Sequence, residues 1–248
     1  MIVPTGIQSV ADHGALYAML GQRVLSEHLE QQLGEFRYDV DLAESRLWFT
    51  STSDPSRTVE ARAHLIASIA PGPRSILWGW AHPQAQDKSV PERLRALGEQ
   101  HGIADLTSPE VPFTTDTQGD ELGNDIAQLA HTIAAAAVEA TGMTPYYSVP
   151  SGGGSRIVFL LEGIPLRPVD LGVDGAGITS ALMDAVTADQ RAALLGLARH
   201  GRFAASNDTD SVSISDARGS RIHATLDQRG RLTNLSVKLV PASGSATA

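Results

Sequence analysis

The sequence predicts an α+β protein, with helices packed on antiparallel sheets. Two observations carry this. Short runs of strand character follow one another closely, at 36–42 and 46–52 and again at 58–70 and 75–82, leaving no room for the crossover that parallel strands need. Longer segments with apolar residues at helical spacing precede strands at 9–33 and at 178–200, so a helix followed by hairpins occurs twice.

The first helix, 9–33, turns Val10, Leu16, Leu20, Val24, Leu29 and Leu33 inward and Gln22, Glu27, Glu30 and Gln31 toward water, and Gly34 stops it. Residues 36–42 alternate Phe36, Tyr38, Val40 and Leu42 against Arg37, Asp39 and Asp41. A two-residue loop at Glu44-Ser45 pairs Leu42 with Leu47 and Val40 with Phe49, and sets Asp41 opposite Trp48. The next hairpin turns at Pro71-Gly-Pro-Arg74, and the same counting pairs Ile69 with Ile76, Ala67 with Trp78 and Leu65 with Trp80. Both of its faces are largely apolar, so it is central to its sheet. Ser89-Val-Pro-Glu92 reads as a capping box opening a helix that ends before Gly102.

Residues 103–119 read as a loop and 120–141 as the strongest helix, with Gly142 behind it. Strands follow at 146–149 and 156–162, joined by Ser151-Gly-Gly-Gly-Ser155. The stretch 163–177 reads as an irregular linker or crossover. Helices at 178–186 and 188–200, the second opened by a capping box at Thr187-Ala-Asp-Gln190, precede strands at 212–215, 221–226 and 231–240. Two Asp-x-x-Gly turns, ending at Gly219 and Gly230, join those strands, and the last eight residues are expected to fray. Residues 1–162 form a helix-plus-sheet domain, and residues 163–248 are either a second domain or part of the first.

Composition narrows the partners. The 248 residues are 42% hydrophobic and carry a net charge of −9. That charge disfavours nucleic acid, which needs a basic face, and an anionic membrane surface. No segment reads as a signal peptide or a membrane span, so the expected setting is cytoplasmic. With no cysteine, disulfides, thiolate metal sites and Cys nucleophiles are excluded. Eight scattered histidines include no His-x-His or His-Glu-x-x-His, so no metal is assigned, and no motif calls for a cofactor.

The most distinctive stretch is Leu77-Trp-Gly-Trp-Ala-His-Pro83. It resembles the Leu-Trp-x-Trp-Ala-Asn-Pro hallmark of an uncharacterised bacterial, largely actinobacterial, family of unknown function. The resemblance covers roughly the first two-thirds of the chain. It implies a β-hairpin followed by a short helix, and it carries no activity. His82 stands where that family has Asn.

Four groups of residues are candidates for chemistry. Trp48, Trp78, Trp80 and His82 could wall a ligand pocket, with His82 as its base, or be core with His82 at the rim. Asp39 and Asp41, beside Trp48, could do acid–base work or simply face water. Gly152, Gly153 and Gly154 with Arg156 could hold a phosphate, although no helix follows them as a phosphate loop requires. A calcium loop at 170–181 fails for want of its terminal glutamate. The reading favoured by this pattern is a non-enzymatic binding or interaction protein, of the immunity or accessory type, with a protein or small-molecule partner. The alternative is a small-molecule enzyme using the Trp78/Trp80/His82 face.

Overall fold

A computed structural model describes residues 3–184 and 187–240. Its spine is α1, Thr5–Leu33, about 44 Å long at 1.5 Å per residue. The helix supplies three separate cores in succession. Ile7, Val10 and Ala15 enter the first, Leu16 and Leu20 the second, and Leu25, Leu29 and Leu33 the third. The apolar positions of α1 therefore form offset patches on different sides rather than one stripe. Gly34, at φ 67°, ends the helix, and its N–H is donated to the Glu30 carbonyl at 2.9 Å.

Seven antiparallel strands form the first sheet: β1 (Phe36–Asp41), β2 (Arg46–Ser51), β3 (Thr58–Ala70), β4 (Ser75–Trp78), β5 (Glu110–Pro112), β6 (Tyr146–Pro150) and β7 (Arg156–Glu162). β7 lines one edge of β3 from Arg62 to Ile69. On the other edge β2 pairs with the first part of β3 and β4 with the last part.

Two registers need correction. In the first hairpin Val40 pairs with Leu47 and Asp39 with Trp48, two residues from the predicted register, because the turn takes four residues, Leu42 to Ser45. A shift of two preserves the faces, so the inward set is unchanged. In the second, Ala67–Trp78 and Ile69–Ile76 form as expected, but Leu65–Trp80 does not. β3 has a bulge between Leu65 and Ala67, which reverses the facing of its odd-numbered residues. Ala61, Ala63 and Leu65 point into the third core, and Ala67 and Ile69 into the first. β4 stops at Trp78, and Gly79 donates its N–H to the Ile66 carbonyl at 2.6 Å. A Cβ at Gly79 would collide with the Leu65 carbonyl, so only glycine fits where the chain leaves the sheet.

Helices α2 (Pro91–His101), α3 (Ala104–Thr107) and α4 (Gly119–Thr141) cover this sheet. The Ser89 capping box is not made: Val90 is the N-cap, without a side-chain bond, and Pro91 opens the helix. The predicted loop at 103–119 contains α3 and β5. α4 packs against α1 at Gly14, where a Cβ would collide with the Ala135 carbonyl, so glycine and the alanine run bring the two backbones close.

The second sheet has four antiparallel strands in the order β11-β10-β9-β8, separate from the first. They are β8 (Ala204–Asn207), β9 (Ser211–Ser215), β10 (Arg221–Leu226) and β11 (Leu232–Lys238). Val212, Ile214, Ile222 and Ala224 face α5 (Leu171–Asp184), α6 (Gln190–Gly201) and α1. α5 begins inside the stretch read as irregular. The predicted continuation of that helix to 186 and the fraying of the last eight residues lie outside the described residues. Asp189, not Thr187, caps α6, accepting the Ala192 N–H at 3.0 Å, while the Thr187 hydroxyl is buried without a partner among the described residues. β8 escaped prediction because its four small residues are all exposed and show no alternation. Gly219 and Gly230, at φ 91° and 74°, close the two Asp-x-x-Gly turns.

Candidate functional site

A cleft of about 350 Å³ opens where α1, the turn into β6 and the segment after β7 converge. One face of α1 forms its floor, since Tyr17, Gly21 and Val24 are spaced a turn apart. Gly142 to Pro145 form one wall, and Leu161 to Gly163 with Leu166 to Val169 form the other. Gly21 is required here because a Cβ would collide with the Thr144 side chain. The Thr144 hydroxyl oxygen is buried in this wall with no hydrogen-bond partner among the described residues.

Charges at the rim are fixed. Arg167 donates to both oxygens of the buried Asp174 carboxylate, at 2.9 and 2.8 Å, and to Glu27 at 2.8 Å. These bonds raise the already high Arg167 pKa further. Burial raises the Tyr17 phenol as well, partly offset by Arg202. Tyr17 stacks on His200 with ring centroids 5.3 Å apart, and His200 Nε2 lies 2.9 Å from Glu139 Oε2. Burial pushes the Glu139 carboxyl up, but the His200 hydrogen bond and the Arg199 charge outweigh it and hold it low.

A model of the DUF6882 family, a family of unknown function, matches residues 8–164. The chain belongs to the DUF6882 family. No curated protein and no solved structure matches it.

The DUF6882 region supplies both ends of the cleft, from Tyr17 to Ile164, and the segment just beyond it, Leu166 to Val169, completes the wall. The residues singled out in the sequence lie elsewhere, in several surroundings. Trp78 is fully buried in the first core and donates its indole N–H to the Asp105 carbonyl at 2.9 Å. Trp80 is 9% exposed beneath the Arg95 guanidinium, 5.1 Å from its ring centroid, and its indole nitrogen has no partner among the described residues. His82 lies beyond the strand, where Nδ1 accepts the Gln84 N–H at 3.2 Å, and burial followed by the Lys88 charge lowers its pKa. Trp48 lies on the outer face of β2, under Arg46 at 5.6 Å, and belongs to none of the three cores.

Asp39 stands opposite Trp48 and lies 3.9 Å from Arg37, whereas Asp41 accepts the Ala43 and Glu44 N–H groups and so shapes the turn. Gly152, Gly153 and Gly154 make an exposed single turn closed by the Ser151 N–H on the Ser155 carbonyl at 2.7 Å. Arg156 donates to Ser148 at 3.1 Å. Among the described residues no group of three or more His, Cys, Asp or Glu is placed to hold a metal ion, and no helix is long and apolar enough to cross a membrane.

Sequence reasoning missed the cleft residues of the DUF6882 region. Tyr17, Thr144 and Ile164 are far apart in the chain and belong to no motif. The local signals were Gly21 within the apolar side of a helix and the Thr144-Pro145 step before a strand.

Proposed function

We propose that this protein is a non-enzymatic binding protein of the bacterial cytoplasm, of the accessory type, that takes a small ligand in the α1 cleft. The observation that carries this is the Thr144 hydroxyl, buried and without a partner among the described residues in the wall of a cleft of ligand size. An isolated buried hydroxyl costs roughly 1–3 kcal/mol; this one packs against Gly21, and a turn of the Thr144 side chain toward the cleft would let a bound hydrogen-bonding ligand relieve the cost. The walls otherwise offer the apolar Ile164 and Leu166 beside the polar Tyr17, Glu162 and Arg167, which suits a ligand with both apolar and polar groups. The net charge of −9 supports a partner other than nucleic acid.

The test is an NMR titration with small amides and alcohols carrying an aromatic ring. Binders should shift the amides of 21, 142–144 and 161–164. Thr144→Val should weaken them about tenfold while leaving the protein as stable or more so. Binders that leave these amides unmoved, or that bind Thr144→Val equally well, would refute the assignment.

A second reading, a small-molecule enzyme, is favoured by the Tyr17–His200–Glu139 array beside the same cleft. Slow conversion of a bound compound that ceases in His200→Asn would select it over the first.

A further inference from the structure

The outer face of the four-stranded sheet carries three cross-strand rows, one of Ser211, Thr225 and Asn234 and two more beside it. Of these two, one aligns Ser206, Ser213, His223 and Ser236, and the next aligns Ala204, Ser215, Arg221 and Lys238. Neither row contains a carboxylate, in a chain of net charge −9. The cations at the ends of this sheet are committed, Arg218 to Asp170 and Asp216 and Arg231 to Asp227. Arg221 and Lys238 are paired in register with each other and have no ion-pair partner among the described residues. The backbone thus holds two uncompensated positive charges side by side.

A groove of about 300 Å³ runs over these rows, lined by Ala204, Ala205, Ser206, Ser213, Ser215 and Arg221. It is open because β8 and β9 contribute only alanine and serine side chains to it, with the longer Arg221 of β10 at its side. Beside the groove, two residues along β10 from Arg221, His223 Nδ1 lies 2.8 Å from the hydroxyl of Ser213, which does line it. The Arg221 guanidinium and three serine side chains therefore line one open volume, and the His223 imidazole is hydrogen-bonded to one of those serines.

We propose that this groove binds a phosphate group, with Arg221 taking two of its oxygens, Ser213 and Ser215 donating to the rest, and His223 donating its Nδ1–H to Ser213 so that the serine's own proton turns to the phosphate. The planar fork of Arg221 matches such an oxyanion, and hydroxyls complete the coordination without adding charge. Lys238 adds a second positive charge from the neighbouring strand. A single groove on one small sheet fits one phosphate rather than a nucleic-acid backbone, which needs a continuous basic track.

The experiment is a ¹⁵N-resolved NMR titration of the whole chain with inorganic phosphate and, separately, with phenyl phosphate, sodium chloride being adjusted to hold ionic strength constant. Saturating shifts should centre on 204–206, 213–215 and 221–223. Arg221→Ala should weaken binding about tenfold or more and Arg221→Lys should recover part of it. Ser213→Ala should weaken it by a smaller factor. Tighter binding of phenyl phosphate would identify an organic phosphate monoester, and equal binding would identify free phosphate. The proposal fails if these amides do not saturate at tens of millimolar phosphate, if Arg221→Ala binds as well as the parent, or if sodium chloride alone gives the same shifts.

Discussion

Replacing Trp78 by alanine tests the centre of the larger sheet. The side chain is fully buried, faces Ala67 across the strand pair, and donates its indole N–H to the Asp105 carbonyl at 2.9 Å. Removing a buried aromatic of this size costs about 3–5 kcal/mol through lost transfer energy and the cavity left behind. The lost hydrogen bond adds about 1 kcal/mol, for a total of about 4–6. In a chain of this length each kcal/mol lowers Tm by roughly 2–4 °C, so a fall of roughly 10–20 °C is expected. Trp78→Phe keeps one ring in place and forgoes the N–H, and should cost about 1–2 kcal/mol. Urea unfolding followed by far-UV circular dichroism measures both, with the denaturant slope showing whether the unfolded state has changed. A loss below about 1 kcal/mol for Trp78→Ala at unchanged slope would mean that the indole is not in this core.

Three further outcomes follow from specific contacts. Arg167→Met leaves the Asp174 carboxylate, 1% exposed, without its partner, and should cost about 3 kcal/mol in the same urea assay; a neutral result would show that Asp174 is not buried as described. Glu139 is held below the ordinary 4.5, so it contributes stability above that pH that is lost as pH falls through its folded-state value; Glu139→Gln should flatten the urea midpoint below about pH 4.5, and an unchanged acid limb would contradict the His200–Glu139 contact. His82→Asn should change stability by less than about 0.5 kcal/mol, because the Asn oxygen can accept the same Gln84 N–H; a large loss would mean that the imidazole is doing something besides closing this turn.

Local chemistry was enough to read most helix ends and the Ala67–Trp78 pairing. Gly34, Gly102 and Gly142 adopt the positive φ that stops a helix, a property of the residue itself. Alternation at 36–42 and 46–52 specified an inward face that survived a two-residue register error, since the side-chain period of a strand is two. The capping boxes failed because each motif competed with a neighbour: Pro91 opened its helix without the Ser89 cap, and Asp189 displaced Thr187. Sequence therefore determined the α+β class, the position of most elements and the burial of Trp78. Tertiary structure decided three things. The bulge at Leu65–Ala67 separated one strand into two cores, because one extra residue reverses the facing of all that follow it. α1 became the shared spine, because its offset apolar patches make sense only once three cores surround it. The cleft arose where Tyr17, Thr144 and Ile164 meet, and a cavity is a property of what packing leaves unfilled, which no local stretch of chain encodes.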